Sequence, residues 1–139
     1  MKFVWLMAGL ALVFLGSPSV LAQNAIVITP LLSSTVTASG QPIVLPQRDA
    51  EVVASIYDIA PGATLPVHQH PFPRLAYVLS GSLRVTNLRT GHQDSYKLGD
   101  FVVEAIGQWH TGSNVGDQPL KLLVIDIVKK DQTNTVLHK

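Results

Sequence analysis

Residues 62–81 read Gly62-Ala63-Thr64-Leu65-Pro66-Val67-His68-Gln69-His70-Pro71-Phe72-Pro73-Arg74-Leu75-Ala76-Tyr77-Val78-Leu79-Ser80-Gly81. In an extended strand, residues i and i+2 point to the same face. His68 and His70 can therefore aim both imidazoles at one point, as a metal ion needing several ligands on one side requires. Alternation alone also allows two solvated or satisfied core histidines, so the flanking residues matter. Residues 99–114 form a second stretch of the same kind, Gly99-Asp100-Phe101-Val102-Val103-Glu104-Ala105-Ile106-Gly107-Gln108-Trp109-His110-Thr111-Gly112-Ser113-Asn114.

The two stretches resemble the paired motifs of the cupin superfamily. The first motif is Gly, five residues, His-x-His, three or four residues, Glu, six residues, Gly; Gly62, His68, His70 and Gly81 fall in place. The second is Gly, five residues, Pro-x-Gly, two residues, His, three residues, Asn; Gly99, Gly107, His110 and Asn114 match, with Ala105 where Pro is expected. Eight of ten motif positions match in order and at fixed spacing. The resemblance implies an all-β fold, a single-domain jelly-roll β-barrel. It implies a divalent transition metal (Zn, Cu, Fe, Mn or Ni) held inside by His68, His70 and His110, and a homodimer. Neutral imidazoles on rigid strands suit such ions.

One position departs from the pattern. The family's glutamate ligand aligns with Arg74, or with Leu75 if the spacer is one residue longer. Neither ligates a metal. Outside the motifs' ligand positions the only glutamates are Glu51 and Glu104; Glu104 shares strand parity with Val102, which would let it reach inward. Arg74 shares parity with His68, His70, Ala76 and Val78. At about 5 Å from a dication its repulsion is roughly 7 kcal/mol at an effective dielectric near 20. Three arrangements remove that cost: a partner carboxylate such as Glu104 or Asp58, an anionic substrate touching both Arg74 and the metal, or an anion site without metal. A solvated edge position is the fourth reading. The expected site is therefore His68, His70 and His110 for metal, with Arg74 binding substrate.

Outward from the motifs, β-branched alternating runs are punctuated by Gly and Pro, and no stretch after residue 22 holds a helical period over three turns. The expected strands are 25–32, 34–37, 51–59, 75–79, 83–87, 93–97, 101–104, 110–114 and 120–128. Turns at such spacing mean a sandwich or barrel. Phe72, Tyr77, Phe101 and Trp109 are expected in the core or pocket wall. His92 reads as a turn residue and His138 as part of a polar, frayed tail over 131–139.

Residues 1–22, MKFVWLMAGLALVFLGSPSVLA, carry one charge and an apolar run broken at Gly16-Ser17-Pro18. This is the pattern of a cleaved secretory signal, with cleavage expected after Ala22 and the barrel over 23–139. The expected location is thus exported, periplasmic or secreted, with no membrane anchor after cleavage. The chain of 139 residues is 14% charged and has no cysteine. That length suits one domain. The composition excludes a disulfide scaffold, a thiolate nucleophile and cysteine-ligated metal. With 10 basic and 9 acidic residues and no basic cluster, nucleic acid is not an expected partner. The expected partner is a small molecule bearing a carboxylate. Two function classes follow. One is a metal-dependent oxygenase or isomerase acting on a small anionic metabolite. The other is a non-catalytic metal- or ligand-binding protein in which Arg74 recognises an anion.

Overall fold

The alternating runs become strands that bury one face and stack as two sheets. A computed structural model describes residues 26–139, so the expected leader and its cleavage point lie outside the described residues. The strands are β1 (Ala50–Ile59), β2 (His68–Gln69), β3 (Arg74–Ser80), β4 (Ser82–Asn87), β5 (Gln93–Lys97), β6 (Phe101–Val103), β7 (His110–Asn114), β8 (Leu120–Lys129) and β9 (Val136–Leu137). One sheet has the order β1-β8-β3-β6 and the other β5-β4-β7-β2-β9. All the strand pairings are antiparallel. The core between the sheets is Ile59, Ala76, Val78, Leu83, Val102, Leu120, Leu122 and Val124. The domain is the all-β barrel that the turn spacing requires.

Three expectations are corrected. Residues 26–32 form no strand, and 34–37 contribute only a bridge between Val36 and Pro42; the apolar run is there, but it pairs with no strand among the described residues. The tail is not frayed throughout. Val136–Leu137 pairs with β2, and Asn134 is buried. Tyr77 and Phe101 are not core residues. They lie on the side of their sheet facing away from the barrel, with ring centroids 6.4 Å apart.

The motif residues outside the site are structural. Asn114 is buried, and its side-chain amide donates to the carbonyls of Ile59 and Gln118 while its Oδ1 accepts from Gly116 N. Gly81 joins β3 to β4 at φ 81°, and a Cβ there would sit 2.7 Å from Leu120 Cα. That clash is with backbone and cannot be relieved by a rotamer. Gly99 has φ 90° but open space around a would-be methyl. Urea denaturation should therefore show Gly99→Ala losing only the about 1 kcal/mol of left-handed backbone strain. Gly81→Ala should lose at least about 2 kcal/mol, because overpacking adds to the same strain.

Candidate metal centre

His68 and His110 are direct cross-strand partners on β2 and β7. His70 follows β2 and bridges to Ile106. The three rings are buried, with centroids 4.5–4.9 Å apart. Each Nδ1 meets a backbone carbonyl: His68 with Pro66 at 2.6 Å, His70 with Asn134 at 2.6 Å and His110 with Gln108 at 2.8 Å. A carbonyl only accepts, so each Nδ1 must carry hydrogen. In the neutral rings every Nε2 then presents a lone pair. Outer hydrogen bonds of this kind fix the tautomer of metal-ligating histidines.

Glu104, just past β6, supplies the fourth donor. Its Oε2 lies 3.1 Å from His70 Nε2 and 3.2 Å from His110 Nε2. Donor atoms of His68, His70, Glu104 and His110 all lie within 4.8 Å of one another. The alignment at His110 is poor for a hydrogen bond, and its Nε2 is buried without a partner. Lone pairs and a carboxylate converging so closely repel unless a proton or a cation stands between them. The donor set fits a divalent first-row ion, with imidazoles and one carboxylate meeting at a buried point.

The motif does not point to the fourth donor because that donor stands on a different strand. Leu75 pairs with Val103 between β3 and β6, and Glu104 N donates to Arg74 O at 2.9 Å. Glu104 thus stands opposite Arg74, the position where the motif carries glutamate. Adjacent strands are about 4.8 Å apart, so a carboxylate can reach the same point from either one. The inward parity shared with Val102 was the available signal.

Arg74 is 4% exposed and is not a solvated edge residue. Its partner is neither Glu104 nor Asp58. Nε and Nη2 donate to the two oxygens of Asp126 at 2.7 and 2.9 Å, and the two residues are register partners between β3 and β8. Nη2 also reaches Thr135 Oγ1 at 3.2 Å, and the guanidinium lies 5.7 Å from the Tyr57 ring centroid. Nη1 points to the site, 3.5 Å from His70 Nε2. The fork on Asp126, together with Glu104, offsets the repulsion between Arg74 and a dication.

The electrostatics follow. Burial would raise the Glu104 carboxyl, but contacts with His110 and His70 and the Arg74 charge outweigh it and hold Glu104 well below the usual carboxylate range. Burial, reinforced by the neighbouring histidines, brings His68 down to about 4. Burial would also lower His110, but Glu104 and the Gln108 carbonyl raise it above 6.5. His92 is exposed and pairs with Asp94 at 3.0 Å, while His138 packs edge-on against Trp109. Neither joins the centre.

A cavity of about 290 Å³ opens onto the centre, lined by Val85, Asn87, Tyr96, Val102 and Gln108 and reaching Glu104 and His110. With this geometry in place, the comparisons are decisive. The cupin domain model matches residues 55–126, just over half of the chain. The chain belongs to the cupin family. Among solved structures, the Mn(II)-containing oxalate decarboxylase of Bacillus subtilis is 30% identical, with a TM-score of 0.52 over 62% of this chain and 23% of that one. The oxalate decarboxylase of Lactobacillus farciminis, solved with formate, is 27% identical, with a TM-score of 0.53 over 62% of this chain and 26% of that one. This chain therefore spans about a quarter of the length of those enzymes. The polyketide cyclase RemF of Streptomyces resistomycificus is 19% identical, with a TM-score of 0.54 over 70% of each chain, a likeness of fold. Among curated proteins no relative matches the sequence.

Metal titration by calorimetry should show His68→Ala, His70→Ala, His110→Ala and Glu104→Gln each weakening divalent-metal binding by at least roughly tenfold, with His92→Ala unchanged. Zn²⁺ should bind more tightly than Mn²⁺. Binding must displace the proton that the raised His110 retains above pH 6.5. Affinity should therefore fall as pH is lowered into the range where His110 takes up its proton, by roughly tenfold per pH unit from that one ligand. His68, at about 4, adds no competing proton in that window. Affinity that is flat from pH 8 to about pH 5 would contradict this assignment.

The tail also acts on the centre. Asn134 O fixes the His70 tautomer, its side chain donates to Asp126 Oδ1 at 2.6 Å, and its Oδ1 accepts from Phe72 N. β9 pairs with β2 through His68 and Leu137. Ending the chain after Asp131 should lower metal affinity by roughly 10- to 100-fold, the usual effect of losing an orienting partner. Circular dichroism should still report the β-barrel, because the core residues all precede residue 131.

Proposed function

We propose that this is an exported, metal-dependent cupin whose metal, held by His68, His70, Glu104 and His110, acts on a small anionic metabolite as an oxygenase or isomerase. The observation that carries this reading is the cavity of about 290 Å³, whose lining includes two of the four donors. A small ligand entering it reaches the metal position from the open side. Four protein donors leave positions free on an ion that takes five or six, where a metal would polarise a bound oxygen. A dication with one carboxylate ligand keeps net positive charge, which favours an anion in the cavity. Arg74 Nη1, turned toward the site, adds to that charge. Gln108 and Asn87, hydrogen-bonded to each other at 2.5 Å, and Tyr96 give the walls polar contacts against apolar Val85 and Val102. Burial and the nearby Asp94, Glu104 and Asp100 push Tyr96 up to about 12, so its hydroxyl stays protonated and able to donate. The apolar, uncharged run in residues 1–22 supports export.

The non-catalytic reading rests on Arg74. Two of its three nitrogens are committed to Asp126, and Nη1 alone remains for an anion. Under that reading an anion should bind without metal. The test is calorimetry of metal-loaded and metal-free protein with small carboxylates, oxalate first because oxalate decarboxylases are among the similar structures, alongside assays for dioxygen uptake and product formation. The expected result is anion binding only with metal, lost in His110→Ala, and turnover of at least one member of the panel. Equal anion binding with and without metal would favour the Arg74 reading instead.

A further inference from the structure

The cavity that opens onto the metal centre has two ends of different chemistry. Glu104 and His110 stand at its inner end, and Val85, Val102 and Ala105 make its middle largely apolar. Its outer end is the turn between β4 and β5, where Arg89, Thr90 and His92 are exposed and line the same cavity. Arg89 stands at the rim, where the cavity meets a shallower cleft bordered by Ile106 and Trp109. Among the described residues no carboxylate pairs with its guanidinium. The acid on the same wall, Asp94, is already engaged by His92 Nε2 at 3.0 Å.

An exposed arginine is ordinarily just solvated, but the backbone that carries this one is tied to the metal centre. Asn87 is level with His110 in the register of β4 and β7. Its Oδ1 accepts from Arg89 N at 3.0 Å and Thr90 N at 3.2 Å, while its Nδ2 donates to Gln108 Oε1. Gln108 is also the residue whose carbonyl holds His110 Nδ1. Leu88 N donates to Trp109 O at 2.9 Å, and Gly91 N closes the turn on Asn87 O at 2.8 Å. Arg89 is two residues beyond Asn87, so its Cα is at most about 7 Å farther along the chain. We propose that the cavity takes a short dicarboxylate, with one acid group at the metal, its carbon chain between Val85 and Val102, and its second acid group on Arg89. The proposal rests on the reading that the metal receives a small anion, and it adds the distal group that selects the substrate. A guanidinium fork meets one planar carboxylate with two parallel hydrogen bonds. The apolar middle of the cavity favours carbon between the two acids and disfavours a polar linker. Oxalate, whose acid groups adjoin, is too short to reach from the metal to the rim. Arg89 is thus a specificity-determining residue, and Asn87 positions it.

The experiment is calorimetry on the Zn²⁺-loaded protein in low-salt buffer, where a rim charge is least screened. Succinate, glutarate and adipate are compared with butyrate, pentanoate and hexanoate, the monoacids of equal carbon number. At least one diacid should bind roughly tenfold or more tightly than its monoacid, the worth of a hydrogen-bonded charge pair. Arg89→Gln should bring that ratio down to about two, the statistical factor for two equivalent ends, with monoacid affinity and metal stoichiometry unchanged. Arg84→Gln is the control. Arg84 is exposed on β4 next to Val85, hence on the opposite face of the strand, and its loss should leave the ratio intact. Monoacids that bind as tightly as diacids, a preference that survives Arg89→Gln, or one lost equally in Arg84→Gln each overturn the assignment while leaving the metal-bound anion in place. Binding of neither series to the metal-loaded protein overturns it together with the function on which it rests.

Discussion

Everything at the centre of this barrel depends on presenting three unprotonated Nε2 atoms to one buried point. An imidazole is free to choose which nitrogen carries hydrogen, and burial alone does not make that choice. Three backbone carbonyls make it here, those of Pro66, Gln108 and Asn134. Two come from the residue two positions before the histidine, just ahead of its strand, so the local backbone itself sets the tautomer. The third comes from a residue 64 positions away in the chain. The centre is therefore only partly a local property of the His-x-His segment. It is complete only when the C-terminal segment has docked.

That docking is driven by polar groups. Asn134 is buried and uses its amide and both carbonyl oxygens at once. Asp126 accepts from Arg74 Nε and Nη2 and from Asn134. Buried polar groups are tolerable only when satisfied, and removing one member leaves the others exposed to the full cost of desolvation. The network thus ties β3, β8 and the tail together as one unit behind His70. Breaking a buried pair by removing one partner costs on the order of 3–5 kcal/mol, which makes Arg74 a structural residue whatever it does for a ligand.

Legibility in the sequence followed the range of the interaction. Gln93–Lys97 and His110–Asn114 are strands with the bounds that alternation gives, because period and turn residues are local signals. His68 and His70 are legible from their own spacing, and His110 from its place in the second motif of the family the sequence resembles. Glu104 was not, because its place beside Arg74 is a cross-strand relation that parity hints at and only register fixes. The polarity of Asp131–Lys139 predicts a frayed tail, yet its anchors are a main-chain carbonyl and amide contacts that composition does not reveal. Residues 26–32 have the apolar, β-branched make-up of a strand but pair with no strand among the described residues. The burial tendency of aromatics places Tyr77 and Phe101 in a core or pocket wall, whereas they stand on the outer face of a sheet that is apolar on both sides.

The exchange of charge around position 74 has a physical logic of its own. A glutamate on β3 would place a carboxylate in the site directly opposite Asp126 on β8, two anions in a buried register pair. An arginine at that position turns the repulsion into a bidentate ion pair, but brings a cation within 3.5 Å of a metal-ligating nitrogen. A carboxylate on β6, at the next position across the sheet, restores the balance. Glu104, Arg74 and Asp126 then carry a net charge of −1, the same as the single glutamate ligand of the family motif. The centre keeps the charge of a three-histidine, one-carboxylate site while its carboxylate moves over by one strand. Each of the three residues makes the other two tolerable, so a change at any one of them alone disturbs both the fold and the donor set.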